Sequence, residues 1–150
     1  MVDKQDGRRA AMAVLAQSDA QTLALALSSV GDVGFTELRA PESGLVMLRG
    51  RIGGDGAPFN VGEATVTRAA VKLSSGETGF SYVLGRDQQK ARLAALCDAL
   101  WQSETHRPHI EANVLTPLRD AQAERAAQAR AQTAATRVDF FTLVRGENEK

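Results

Sequence analysis

A change of hydrophobic period near residue 33 most constrains the fold of this chain. Apolar residues recur at helical spacing before that point, whereas residues 33–85 are rich in glycine and alternate with a period of about two. Helical spacing returns from residue 87 onward. The sequence therefore predicts an α+β fold in which helices pack on a sheet.

Short connections within 33–85 predict an antiparallel β-meander of about four strands. Residues 40–44 (APESG) and 74–77 (SSGE) are typical of turns, and 50–56 (GRIGGDG) is a glycine loop. Strands joined by so few residues pair antiparallel rather than parallel. The predicted strands are 33–39, 45–52, 65–73 and 78–84.

Helices are predicted before and after the strands along the chain, and the second group is expected to cover one face of the sheet. Two short helices lie within 8–30 and meet at residues 17–19, where Ser18 and Gln21 form a capping box. Asp87 is the predicted N-cap of an amphipathic helix over 87–104. Its apolar stripe comprises Leu93, Leu96, Cys97, Leu100 and Trp101.

A helical arm is predicted over 109–136, and within it Thr116 and Pro117 are interpreted as the N-cap and first residue of a helix. Between residues 119 and 137 there is no bulky apolar side chain, and eight of the 25 alanines lie between 121 and 135. An alanine face buries little apolar area. Two interpretations remain open: a solvated surface helix, or an arm whose small face lets a partner's backbone approach.

The arm is followed by an apolar run at 138–146, which predicts a docking tail. Chain ends are normally polar and frayed, whereas this one carries two of the five phenylalanines. Docking on the chain's own sheet and docking on another subunit are both compatible with the pattern.

Composition and charge exclude several classes of protein. The 150 residues correspond to one domain. Lys+Arg and Asp+Glu are 18 each, and a formal net charge of zero argues against a nucleic-acid-binding domain. No apolar run approaches the roughly 18 residues of a membrane span, and no apolar region of a signal peptide follows the N-terminus. We expect a soluble, cytoplasmic protein that binds neither membrane nor nucleic acid.

Cysteine and histidine offer few reactive sites. The single cysteine, Cys97, excludes an internal disulfide and any multi-cysteine metal or iron–sulfur site, and its place on the apolar stripe predicts a buried structural thiol. His106 and His109 have H-x-x-H spacing, but Pro108 lies between them and the ligand set is too small for zinc. Both are interpreted as surface polar residues.

Arginine is the more informative residue type, with 14 copies against four lysines. Arg51, Arg68, Arg86, Arg137 and Arg145 lie in glycine-rich or otherwise interrupted stretches. A guanidinium suits phosphate, carboxylate or an ion pair between subunits, although nucleotide bias alone can raise the arginine content. The glycine loop can bind an anion through its backbone amides, but a turn or bulge is the favoured interpretation. No catalytic triad or acid–base pair stands out, which points to an assembly subunit.

Four motifs resemble those of the PhnG family. Residues 62–71 (GEATVTRAAV) are similar to the family's G-[DE]-A-T-x-T-R-A-x-V stretch, and residues 51–56 (RIGGDG) with Phe59 are similar to the segment just upstream. Residues 85–87 (GRD) resemble the start of a family helix, and 137–146 (RVDFFTLVRG) resemble its C-terminal signature. The resemblance runs in order from about residue 12 to residue 146.

This resemblance implies a subunit of the bacterial carbon–phosphorus lyase system, which degrades phosphonates. Family members assemble with PhnH, PhnI and PhnJ, and act with PhnH, PhnI and PhnL when a phosphonate displaces adenine from MgATP to give ribose 1-phosphonate 5-triphosphate. The later radical cleavage uses S-adenosylmethionine and an iron–sulfur cluster on PhnJ, and the nucleosidase chemistry is attributed mainly to PhnI. The resemblance therefore implies an accessory role, an isolated chain without activity and no cofactor of its own, MgATP being a substrate of the complex.

No catalytic residue is assigned from the sequence. The candidates for phosphate or substrate binding are Arg51, Arg68 and Arg86. The candidates for a partner interface are Arg137, Asp139, Phe140, Phe141 and Arg145. Two alternatives stay open: the arginines contribute directly to the active site of the complex, or the chain is a stand-alone anion-binding module.

Overall fold

A computed structural model describes residues 4–138 of the chain. It has the predicted α+β architecture, with a three-stranded antiparallel sheet in the order β1-β2-β3. The elements, in chain order, are α1 (Lys4–Gln17), α2 (Ala20–Leu27), a 3-10 turn (Ser28–Val30), β1 (Phe35–Arg51), β2 (Pro58–Leu73), β3 (Thr78–Leu84), α3 (Gln88–Gln102), α4 (Arg107–Ile110), a π-helical turn (Glu111–Leu115) and α5 (Thr116–Ala135).

The sheet has three strands rather than the predicted four, because residues 40–44 form no turn. They lie within β1, where the pairing with β2 shifts register between Arg39 and Glu42. Pro41 is tolerated there because β1 is an edge strand, in which a residue without an N–H leaves the ladder intact. An irregularity of this kind looks like a turn in the sequence but only bends the strand.

The first two strands extend well beyond the third. Residues 45–51 of β1 pair with 58–65 of β2, past the end of β3, and form a two-stranded ribbon. The glycine loop closes the ribbon as a turn in which Gly53 and Gly54 have φ values of +63° and +84°. These angles explain why glycine occupies both positions.

One face of the sheet, here called the inner face, packs on α3. Ala69, Val71, Leu73 and Val83 are the residues of the sheet that join the hydrophobic core. Gly79 permits a close approach, since a Cβ there would lie 2.0 Å from the carbonyl oxygen of Ala95. The buried face of α3 is correspondingly rich in alanine, with Cys97, Leu100 and Trp101 buried and Leu93 and Leu96 half-buried.

The opposite face, here called the outer face, carries the larger side chains of β3. Gly79, Ser81 and Val83 point inward, so Phe80, Tyr82 and Leu84 point outward and are 50, 52 and 73% exposed. The alternation of β3 is as predicted. Which half faces the core is decided by the close contact of the small residues with α3.

The two N-terminal helices meet at residues 18 and 19, within the predicted junction. The N-cap of α2 is Asp19 rather than Ser18: its Oδ1 accepts a hydrogen bond from the backbone N–H of Thr22 at 2.8 Å. The Ser18 hydroxyl instead donates to the Val14 carbonyl oxygen. After the sheet, Asp87 caps α3 as predicted, accepting from the Lys90 N–H.

The predicted N-cap at Thr116 is wrong, because Thr116 is itself a helical residue and the chain before it is already helical. Thr116 has helical φ and ψ of −60° and −52°, and its N–H donates to the carbonyl of Glu111 across the π-helical turn. Proline cannot donate to a helix ladder and its ring crowds the preceding turn. The wider π turn directly before Pro117 accommodates it, so the helical conformation runs from Arg107 into α5.

The chain divides into two compact units, one ending at Arg119 and one beginning at Asp120. In the second unit the described residues are helical as far as Ala135, and their side chains are exposed or half-buried. Within residues 4–138, no helix has the length and apolar character needed to cross a membrane.

Candidate functional site

Arg68 lies on the outer face of β2, directly opposite Glu42 in the register of the sheet. Its Nη2 is 2.7 Å from Glu42 Oε1, and its Nε donates to the same oxygen at 2.8 Å. Arg39 reaches that oxygen as well, with Nη1 at 2.6 Å. Two guanidinium groups therefore converge on one carboxylate oxygen.

This cluster borders a surface cavity of about 210 Å³, lined in part by Arg68 and Tyr82 and by Ser43 and Gly44 of β1. The hydrogen bonds from Arg68 and then Arg39 hold the pKa of Glu42 below its ordinary value, so the carboxylate is charged at neutral pH. Arg39 and Arg68 outnumber the single carboxylate. The arrangement is one that an incoming phosphate or phosphonate oxygen can also use.

The role of Glu42 was not predicted from the sequence, because the residue lies in the stretch 40–44 that was interpreted as a turn. Its relation to Arg68, 26 residues away, depends on the register shift within β1. The one local signal is the spacing of Arg39 and Glu42, which is uninformative until the strand is known to continue through Pro41.

Arg51 lies at the end of β1, where the ribbon closes. Its Nη1 donates to the Gly56 carbonyl oxygen at 3.4 Å, and the Gly56 N–H donates to the Ile52 carbonyl at 3.1 Å. The guanidinium therefore spans the glycine turn and remains exposed. The loop is a six-residue hairpin connection between Arg51 and Pro58, in line with the favoured interpretation.

Arg86 follows β3 and is exposed at the start of α3. The residue before it is firmly held: the Gly85 N–H donates to the Thr65 carbonyl at 2.9 Å, and its own carbonyl accepts from the buried Thr67 hydroxyl at 2.7 Å. Asp87 then caps the helix. The backbone that carries Arg86 is thus fixed while its side chain is free to turn toward solvent.

The three candidate arginines do not converge on one point. Arg51 of β1 is paired with Pro58 of β2. Arg68 lies ten residues beyond Pro58 on β2, so Arg51 and Arg68 are separated by about 33 Å along the strand at ~3.3 Å per residue. Arg86 lies near Thr65, about 10 Å along the strand from Arg68 by the same measure. One small ligand cannot contact all three in a single chain.

The predicted interface residues lie mostly beyond the structure. Asp139, Phe140, Phe141 and Arg145 fall outside the described residues 4–138. Arg137 is described: it is exposed, and its N–H donates to the Ala134 carbonyl at 3.2 Å just past the end of α5. The docking of the tail stays a prediction.

His109 lies between a serine and an asparagine in an arrangement that resembles a catalytic triad. Its Nε2 is 2.9 Å from Ser29 Oγ, and its Nδ1 is 3.2 Å from the amide nitrogen of Asn113. An amide nitrogen only donates, so Nδ1 accepts and the ring proton resides on Nε2, facing the serine. A general base needs the opposite tautomer. The contact therefore orients the ring without activating Ser29.

Cys97 is fully buried in the core, as predicted for a structural thiol. Burial, together with the charge of Asp98, raises its pKa to about 12, so the thiolate is essentially absent at neutral pH. Over the described part of the chain, no group of three or more histidine, cysteine and carboxylate side chains forms a potential metal site.

A buried carboxylate on α3 was not predicted. Asp98 has a side chain 1% exposed and receives Arg8 in a two-pronged ion pair, with Nε–Oδ1 at 2.8 Å and Nη2–Oδ2 at 2.7 Å. The backbone N–H of Phe80 also donates to it at 2.8 Å. This network joins α1, α3 and β3. Its sequence signal was a single aspartate between the apolar positions of the α3 stripe.

A second polar cluster surrounds Trp101. Its indole N–H donates to Glu111 Oε1 at 2.6 Å, and Arg119 binds the other oxygen at 2.8 Å. Burial raises the pKa of Glu111, but the hydrogen bonds from Arg119 and Trp101 and the charges of Arg119 and Arg107 outweigh it, so the pKa is lowered overall. The Arg107 guanidinium stacks on the indole at 4.4 Å. The cluster fixes the π-helical turn to α3.

Comparison with known proteins agrees with this set of motifs. The sequence model of the family described as "Phosphonate metabolism protein PhnG" matches residues 6–146. A protein of Rhizobium meliloti (strain 1021), named "Alpha-D-ribose 1-methylphosphonate 5-triphosphate synthase subunit PhnG", is 51% identical over 144 residues, which cover 94% of this chain and 90% of that protein. The chain therefore belongs to the PhnG family.

Proposed function

We propose that this chain is an accessory subunit of a ribose 1-methylphosphonate 5-triphosphate synthase. In this role it acts with PhnH, PhnI and PhnL when a phosphonate displaces adenine from ATP, and it assembles with PhnH, PhnI and PhnJ. The 51% identity to a protein named as a subunit of that synthase supports the assignment.

The spread of the arginines is the observation that carries the accessory role. Because Arg51, Arg68 and Arg86 are distributed along the sheet rather than gathered, this chain cannot enclose a triphosphate with them by itself. Each can complete a phosphate site only together with groups from another chain. The nucleosidase chemistry then belongs to a partner.

This chain binds no cofactor of its own, and MgATP and the phosphonate are substrates of the complex. Its one thiol is buried with a raised pKa, which suits a core residue rather than a cluster ligand. The complex is placed in the cytoplasm, where its substrate ATP is available.

The decisive experiment measures adenine release from ATP and methylphosphonate by the reconstituted subunits, with this chain present, omitted and added back. We expect release only when it is present, with full recovery on addition. Equal release without it would refute the requirement. Release by the isolated chain would refute the accessory role.

A direct contribution of Arg68 to the active site is a second candidate, favoured by the two guanidinium groups on one Glu42 oxygen beside the cavity. Arg68→Ala is expected to assemble normally but to raise the KM for phosphonate or ATP, with partial recovery in Arg68→Lys. Arg92→Ala is a matched control, because Arg92 is equally exposed and paired with Glu37 elsewhere on the surface. Equal kinetics for Arg68→Ala and the control would exclude this candidate.

Binding by the isolated chain separates the third alternative. A stand-alone anion-binding module would bind methylphosphonate or ATP tightly by calorimetry without other subunits. We expect no such binding.

The predicted docking tail has its own test. Phe140→Ala combined with Phe141→Ala is expected to reduce co-purification with the other subunits. Unchanged assembly would contradict tail docking.

A further inference from the structure

We propose that the outer face of the sheet is the surface through which this chain docks on a different protein subunit of its complex. The inference rests on the proposed function, and it assigns a specific surface and a specific partner chemistry to it. The partner is expected to offer an apolar surface with carboxylates opposite Arg39 and Arg68.

The outer face is continuous from β3 along the whole ribbon. Residues paired across antiparallel strands share a face, and the register pairs Arg68 with both Tyr82 and Glu42, Val66 with Leu84, and Ala64 with Val46. Leu48 pairs with Gly62, but the next residue, Arg49, pairs with Asn60, so Val61 is an extra residue in β2 at this point. A Cβ on Gly50 would lie 2.7 Å from Val61 Cγ2, which places the Val61 side chain on the Gly50 side of the ribbon.

The side chains of this face are large and apolar. Six of them are between 44 and 73% exposed: Leu48, Phe59, Val61, Phe80, Tyr82 and Leu84. The sheet residues of the main hydrophobic cluster all come from the inner face, and the buried Val66 and Ala70 of the outer face lie outside that cluster. The outer face therefore carries an apolar surface that takes no part in the core.

The area is appropriate for a stable interface. A half-exposed aromatic side chain leaves on the order of 100 Å² open. Three of the six are aromatic, and the three aliphatic ones are smaller but up to 73% exposed, so the six together offer roughly 600 Å². That equals the largest apolar patches of monomeric proteins, ~300–600 Å², before Val46 and Ala64 are added. It approaches the ~800 Å² that each partner contributes to a standard interface.

The ribbon gives an independent physical reason for a partner. A two-stranded ribbon is marginally stable in water unless one face packs on something. Here 45–51 and 58–65 lack a third strand, yet their outer side chains Leu48, Phe59 and Val61 are apolar. Burial against a partner would stabilise the ribbon as well as the complex.

The charge on the face selects a different chain over a second copy. Arg39, Arg68 and Lys72 lie on the outer face with Glu42 as their counter-charge, an excess of two positive charges. Packing this face on its own copy would bring like charges together, which is costly at an interface. An apolar surface with acidic residues is complementary to it.

The test places a charge on the face and measures assembly. Leu84→Glu and Val61→Glu, each co-expressed with the other subunits, are expected to lower the amounts of those subunits retained by a tagged chain at least about tenfold, equivalent to ~1.4 kcal/mol. Leu25→Glu is the matched control, because Leu25 is 68% exposed on α2 and lies away from the sheet. Circular dichroism of each isolated variant checks that it folds.

The outcomes separate this inference from the proposed function. Normal retention of all subunits by both variants would overturn the docking face, even if adenine release still requires this chain. A dimer of the isolated chain that Leu84→Glu dissociates would assign the face to a second copy and overturn the choice of partner. Binding of a hydrophobic dye that rises only when 139–150 are removed would assign the face to the chain's own end, with the same consequence.

Discussion

Replacing Asp98 tests whether a buried ion pair holds the helices to the sheet. In Asp98→Ala the backbone N–H of Phe80 loses its acceptor, at a cost of about 1–3 kcal/mol. Arg8 loses its partner as well. Breaking a buried pair typically costs about 3–5 kcal/mol, but Arg8 is 31% exposed and can be partly rehydrated. The expected loss is therefore about 3 kcal/mol, a large share of the ~5–15 kcal/mol by which domains are stable.

Urea denaturation followed by far-UV circular dichroism measures this loss. With a slope of about 2 kcal/mol per M, the midpoint should fall by about 1.5 M. Asp98→Asn should lose less, because its amide oxygen can still accept from Phe80. Asp87→Ala is the control: it removes an exposed N-cap and should cost about 1 kcal/mol. The reasoning is refuted if Asp98→Ala is no more damaging than Asp87→Ala.

Three further results are expected. Gly79→Ala should lower the free energy of unfolding by at least about 1–3 kcal/mol, because its Cβ would collide with the α3 backbone; denaturation equal to wild type would contradict the close packing. Cys97, with a pKa raised to about 12, should react with a thiol reagent only in denaturant; rapid labelling of the native chain would show that the core is open. Glu111 has a lowered pKa in the folded state, so its stabilising effect is full above the unfolded pKa of about 4.3 and disappears as pH falls through the folded value. The stability difference between wild type and Glu111→Gln should therefore shrink from pH 7 to pH 3, and a constant difference would contradict the ion pair.

Features encoded by neighbouring residues were predictable from the sequence. The α+β class, the antiparallel meander, the cap at Asp87 and the glycine turn all follow from periodicity and local backbone chemistry. The burial of Cys97 followed from its place on a helical stripe. Proline produced two of the errors, and the third was the N-cap of α2, which is Asp19 rather than Ser18. Pro41 and Pro117 predict breaks, but an edge strand and a π-helical turn accommodate them.

The candidate site was predictable only in part. Arg68 stood out in a motif, but its partner Glu42 depends on a register that residues 40–44 disguise. Asp98 was visible only as one acid in an apolar stripe, and its two partners come from distant segments, Arg8 and β3. Such contacts join residues far apart in sequence, and local pattern carries no information about them.

The sequence by itself determined the α+β class, the order of helices and strands along the chain and the family to which the chain belongs, because these are expressed in short-range spacing. Only the tertiary structure decided which side of β3 faces the core. The alternation of small and large residues fits either choice, and the close approach of α3 to Gly79 selects the small side. Phe80, Tyr82 and Leu84 are consequently exposed on the outer face. A pattern that is typical of a core strand thus becomes the proposed docking surface, because packing against α3 leaves no room for large side chains.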